Sequence, residues 1–110
     1  MANTFKNDTL RASGDTLASV GSAVAASTQT TIIGMTIANI VSSVISVGVK
    51  LVDNSANETW LVKDAPIPTG GALVVVGGDQ KVVMETGDII KVISNTASSM
   101  DVVMSYLEIT

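Results

Sequence analysis

The chain has 110 residues, enough for one domain with a real core, and 46% of them are apolar while only 15% are charged. It contains no cysteine and no histidine, which excludes a disulfide framework, thiolate chemistry and the commonest general base and metal ligand. Net charge is −4, and the six basic residues, Lys6, Arg11, Lys50, Lys63, Lys81 and Lys91, are spread along the sequence, so neither a nucleic-acid partner nor a basic membrane-surface helix is expected.

In chain order, Met1 to Leu10 is polar and has no apolar h-region, so it does not read as a signal peptide, and the chain is expected to be cytosolic when made. Residues 1–12 read as an N-terminal arm or first strand, and 13–110 as the domain proper. Phe5 is an isolated large apolar residue in this arm. Two roles suit it: docking the arm onto its own domain, or onto a neighbouring subunit. No charge occurs between Asp15 and Lys50, but Ser, Thr, Gln, Asn and Gly interrupt that stretch throughout. It falls short of the roughly 20 mainly apolar residues of a spanning helix. Thr16 to Thr30 is the part whose local structure is least defined.

Thr30 to Asn39 alternates, with Ile33, Met35 and Ile37 on one side and Ile32, Gly34, Thr36 and Ala38 on the other, a strand covered on both faces. Asn39 to Ser43 makes the following turn. Val44 to Asp53 alternates most clearly: Ile45, Val47, Val49 and Leu51 face inward, and Ser46, Gly48 and Lys50 form a wet face. Asp53-Asn54-Ser55-Ala56-Asn57 reads as a hairpin loop, because these side chains bond their own backbone. A strand follows through Thr59 to Lys63, which Pro66 and Pro68 end or confine to an edge. Glycine turns then separate strands at Ala72 to Val76, Lys81 to Glu85 and Ile89 to Ser94, and the last strand covers Asp101 to Ile109.

About eight or nine short strands at roughly ten-residue spacing, with no sustained helical period, predict an all-β chain. The expected fold is a single antiparallel β-sandwich, of jelly-roll or immunoglobulin-like type.

Chemistry-bearing patterns are weak. No two carboxylates fall at a spacing that demands a shared site. Gly70-Gly71 and Gly77-Gly78-Asp79-Gln80 separate strands instead of opening a helix, so they read as hairpin turns and not as phosphate loops. Asp53, Asn54, Asn57 and Glu58 offer oxygen ligands without the spacing of a calcium loop. Trp60 and Tyr106 suggest a sugar-stacking platform, but with one Trp, one Tyr and one Phe in the chain, Trp60 reads better as a core anchor. Catalytic residues, cofactor and metal are therefore all expected to be absent.

From Leu61 onward the sequence resembles a known family. The runs Leu61-Val62-Lys63-Asp64-Ala65-Pro66-Ile67-Pro68, Val74-Val75-Val76-Gly77-Gly78-Asp79-Gln80-Lys81-Val82-Val83 and Gly87-Asp88-Ile89-Ile90-Lys91-Val92 are similar to small virion structural proteins of tailed bacteriophages, notably marine ones. Ala2-Asn3-Thr4-Phe5-Lys6-Asn7, Thr30-Thr31-Ile32-Ile33-Gly34 and Ser105-Tyr106-Leu107-Glu108-Ile109 extend the resemblance over nearly the whole chain. Where related modules carry a Pro-Ala turn, this chain has Ala25-Ala26-Ser27. The resemblance implies a particle component without enzymatic activity. The expectation is a capsid decoration, or cement, protein on the outer surface of the head, bound to the major capsid protein or another virion protein and forming a homo-oligomer, with a trimer favoured. A tail, neck or baseplate accessory and a receptor- or glycan-binding domain are the alternatives. Contacts are expected from Asn3, Thr4, Phe5 and Lys6 of the arm and from the Gly77, Gly78, Asp79, Gln80 and Lys81 turn.

Overall fold

A computed structural model describes residues 2–77 and 79–110. Among the described residues nine strands account for the regular structure: β1 (Asn3–Ser13), β2 (Ala18–Val20), β3 (Gln29–Asn39), β4 (Ile45–Val52), β5 (Glu58–Ile67), β6 (Ala72–Val76), β7 (Val82–Met84), β8 (Ile89–Ser94) and β9 (Met100–Ile109). No helix occurs among the described residues. Sheet A has the order β1-β9-β3-β6, with β7 also on β3, and sheet B the order β2-β8-β4-β5. Every pairing is antiparallel.

The pairs nest. β1 lies on β9, β2 on β8, β3 on β6 and β7, and β4 on β5, so the chain is one long double ribbon that turns back at Asp53 to Asn57 and wraps across two sheets. That is jelly-roll topology, which decides between the two sandwich types expected. The turn is held by Asp53, whose carboxylate accepts from the amides of Ser55 at 2.9 Å and Asn57 at 3.0 Å. The Asn57 bond first, and the Ser55 bond next, hold that carboxyl below its usual range.

β-Branched and other aliphatic side chains alternate inward from both layers. Sheet B contributes Ile45, Val47, Val49, Ile67, Ile90 and Val92, and sheet A contributes Ile32, Met35, Ile37, Val76, Met100, Val102 and Met104, all at most 2% exposed. Of the expected arm, residues 3–12 are strand, and β1 is the edge of sheet A, paired with β9 from Asn3↔Ile109 to Leu10↔Val102.

Two expectations of facing fail. In β3 the register on β9 shifts between Ile32 and Gly34, so Ile33 is the extra residue of a bulge. Ile32, not Ile33, therefore joins Met35 and Ile37 in the core, while Ile33 is half-buried. The outer face of β4 is not wet either: Gly48 and Lys50 are buried, because Trp60 of β5 lies across them.

The turns are fastened by polar groups. The Asn39 amide nitrogen donates to the carbonyls of Ser43 at 2.8 Å, Ile67 at 3.0 Å and Pro68 at 3.2 Å, and its side-chain oxygen accepts from the Val41 amide at 2.9 Å. It thereby ties the β3–β4 turn to the end of β5.

Candidate interaction surfaces

Three surfaces stand outside the core. The first is the outer face of sheet A, set by the odd residues of β1 and β9 and their neighbours in register. Phe5 lies across from Leu107, Leu107 from Thr31, and Thr31 from Val83. Further along, Thr9 lies across from Val103, Val103 from Thr36, and Thr36 from Val74. Phe5 is 74% exposed, and Val74, Val83 and Val103 are also exposed. Phe5 is thus held by the backbone pairing of its strand and does not dock onto the domain's own core. The charges on this face, Arg11 and Asp101, sit together at one end, beside a shallow hollow of about 290 Å³ shared with Thr9, Thr36, Ala38 and Val103. Three strands of ten or eleven residues, with the shorter β6 and β7 following one another along β3 as a fourth row, lie about 4.8 Å apart and present roughly 600 Å², close to the roughly 800 Å² per partner of a stable interface.

The described contact residues that were expected lie on or beside the strands of sheet A but are not brought together. Asn3, Thr4, Phe5 and Lys6 lie on β1, at one edge. Gly77, Asp79, Gln80 and Lys81 join β6 to β7 at the opposite edge, where the Gln80 amide bonds the Gly77 carbonyl at 3.2 Å. Gly78 lies outside the described residues.

The second surface is the inner side of sheet A beyond the reach of sheet B. A cleft of about 270 Å³ lies between this end and the β2–β3 loop, lined by Lys6, Asp8, Tyr106 and Glu108 on one side and Ser22 to Ala25 on the other. Lys6 Nζ is 3.0 Å from Glu108 Oε1. Burial first, then a hydrogen bond to Asp8 and the negative charges of Asp8 and Glu108, push the Tyr106 phenol up to about 12.

The third is the outer face of sheet B. Register places Lys50 across from both Trp60 and Lys91. Lys50 is only 7% exposed, with its Nζ 2.6 Å from Glu58 Oε1 and 5.2 Å from the Trp60 ring centre. Lys63 Nζ stands 5.7 Å from the same ring. Three lysines far apart in sequence thus share one face with the single tryptophan. Trp60 is 40% exposed and is not a core anchor, and it lies on the opposite sheet from Tyr106, so the two form no common platform.

No family model matches the chain, and a search of curated proteins finds no match. Among solved structures, a chain from the structure of infectious bursal disease virus, Gt strain, superimposes with a TM-score of 0.45 at 8% identity. The superposition covers 98% of this chain and 30% of that one, so this chain spans less than a third of its neighbour's length. A likeness at that level carries no functional weight.

Proposed function

We propose that the chain is a non-enzymatic structural subunit of a tailed-phage particle, and specifically a decoration protein that strengthens the head by bridging its capsomers. The observation that carries this reading is the outer face of sheet A. It is broad and almost uncharged, and it holds four exposed large apolar side chains that a domain working alone has no use for. A pleated face of this kind buries apolar area against a partner, and many copies multiply a modest contact. The resemblance of the strand and turn sequences to phage virion proteins supports the particle as the setting.

Val74→Lys and Val83→Lys test the reading. Both positions are on the solvent side of short strands at the sheet edge, so the fold is retained, while binding to expanded, undecorated heads is expected to fall at least tenfold. A copy count by mass spectrometry on intact particles separates the head from the tail, neck or baseplate: roughly hundreds per particle for a shell, and roughly six to eighteen for a ring on the tail axis. Heads that bind both variants as well as the parent would overturn the docking face.

A second reading, saccharide binding, draws on Trp60. Its exposed ring adjoins a hollow of about 160 Å³ lined by Ser46, Lys63, Asp64 and Asn95, which combines a stacking surface with hydroxyl-bonding groups. Glycan-array binding that disappears with Trp60→Ala would favour it over the structural role.

A further inference from the structure

The edges of the two sheets are unequal. β2 and β7 are three residues long, β6 is five, and β5 carries two register breaks and Pro66. Short, bulged and proline-bearing edges resist addition of another strand. β1 has none of these features between Asn3 and Leu10, where its pairing with β9 is regular. Its residues from Ala2 to Asn7 are exposed, as is Thr9.

The direction of the free backbone groups follows from one pair. Ala2 and Thr110 exchange both hydrogen bonds, Ala2 N to Thr110 O at 3.1 Å and Thr110 N to Ala2 O at 3.0 Å. In an antiparallel ladder such doubly bonded pairs alternate, so the even residues of β1 bond β9. Asn3, Phe5, Asn7 and Thr9 then aim their N–H and C=O groups out of the sheet edge.

We infer that this edge pairs with β1 of a second copy, antiparallel and centred on Asn7. The inference rests on the reading of the chain as an assembly subunit. Pairing of outward groups requires odd residues to face odd residues, which leaves few registers. Centring on Lys6 would set Lys6 against Lys6 of the second copy, and centring on Asp8 would set Asp8 against Asp8, both repulsive on the same sheet face. Centring on Asn7 sets Lys6 against Asp8 twice, Phe5 against Thr9 twice, and Thr4 against Leu10 twice. The Lys6–Asp8 pairs fall at the closer, non-hydrogen-bonded positions of the ladder. Like charges thus oppose the two adjacent registers, while opposite charges meet twice in this one. The contact is two-fold and closes on two copies, so this edge does not build the trimer that the sequence resemblance favours.

Sedimentation and oxidative cross-linking of the full chain test the pairing. The chain has no cysteine, so Asn7→Cys introduces a single thiol. In the inferred register the two Asn7 α-carbons are about 5.5 Å apart, within disulfide range. A covalent dimer is expected from Asn7→Cys, and neither Lys6→Cys nor Asp8→Cys should give one at comparable rate. Asn7→Pro removes an N–H that points away from β9, so the sheet survives, while self-association should weaken at least about 100-fold. A monomer at every concentration, a trimer, or faster cross-linking through Lys6→Cys or Asp8→Cys would overturn the pairing. If Asn7→Pro fails to fold, the cysteine series still decides. A dimer that never binds heads would instead count against the particle role and leave the pairing intact.

Discussion

Trp60 rests on the bare α-carbon of Gly48, so close that a Cβ there would stand 2.7 Å from Cζ3 of the ring. The indole in turn roofs Lys50, whose ammonium is buried beside Glu58. Gly48→Ala should lift the ring and cost about 1–2 kcal/mol, as overpacking commonly does. Since Trp60 is the only tryptophan, its emission should shift to the red in the folded variant, and urea titration followed by that emission gives the loss.

Glu58→Gln should weaken the fold by about 1 kcal/mol. The figure is modest because the Glu58 side chain is half exposed, although its partner is not. The register also puts Lys91 across from Lys50, so losing Glu58 leaves two cations facing each other. The difference between parent and variant should therefore shrink as salt is added, which parallel denaturation at low and high ionic strength would show.

Asn39→Ala should cost about 2–4 kcal/mol, because it leaves the carbonyl of Ile67 and the amide of Val41 without the partner they have in the parent. Calorimetry of the variant measures it. Asn39→Asp should do no better, since a carboxylate cannot donate to three carbonyls.

Glycines in this chain differ in what replaces them. A Cβ on Gly14 would meet the Ser98 amide nitrogen at 2.5 Å and the Ala97 α-carbon at 2.8 Å, both backbone and unable to swing aside. Gly70 has a φ of +73° but open space around it. Gly14→Ala should thus cost about 3 kcal/mol and Gly70→Ala about 1 kcal/mol, an order that equilibrium unfolding of the two variants checks.

Tyr106 makes stability depend on alkaline pH. Its folded value of about 12 lies above the ordinary 10.0, so the unfolded chain loses the phenolic proton first. The contribution is complete below pH 10 and disappears as pH rises towards 12. Tyr106→Phe should flatten the fall of unfolding free energy across that window relative to the parent, which retains the same lysines.

Much of the fold was legible in the sequence. β6 and β8 run from Ala72 to Val76 and from Ile89 to Ser94, as glycine turns and alternation indicate. The bulge at Ile33 was not legible, since one inserted residue leaves an alternating string still looking alternate on each side. Trp60 misled because Leu61 and Val62 follow it, whereas two register breaks in β5 rotate successive residues away from simple alternation. The meeting of Lys50, Lys63 and Lys91 depends on pairing across forty residues, which no local pattern carries. Phe5 could be placed on a strand, but its exposure depends on the uncovered outer face of the sheet.

The nesting of the strands also dictates how the molecule must assemble from its polymer. β9 lies between β1 and β3, so sheet A has no middle until Met100 to Ile109 arrive. A ribosome delivers that segment after its two neighbours, which must wait with the backbone edges that face it unpaired. Closure of such distant loops precedes the contacts that reward it, placing this chain among slow folders, in the range of about milliseconds to seconds.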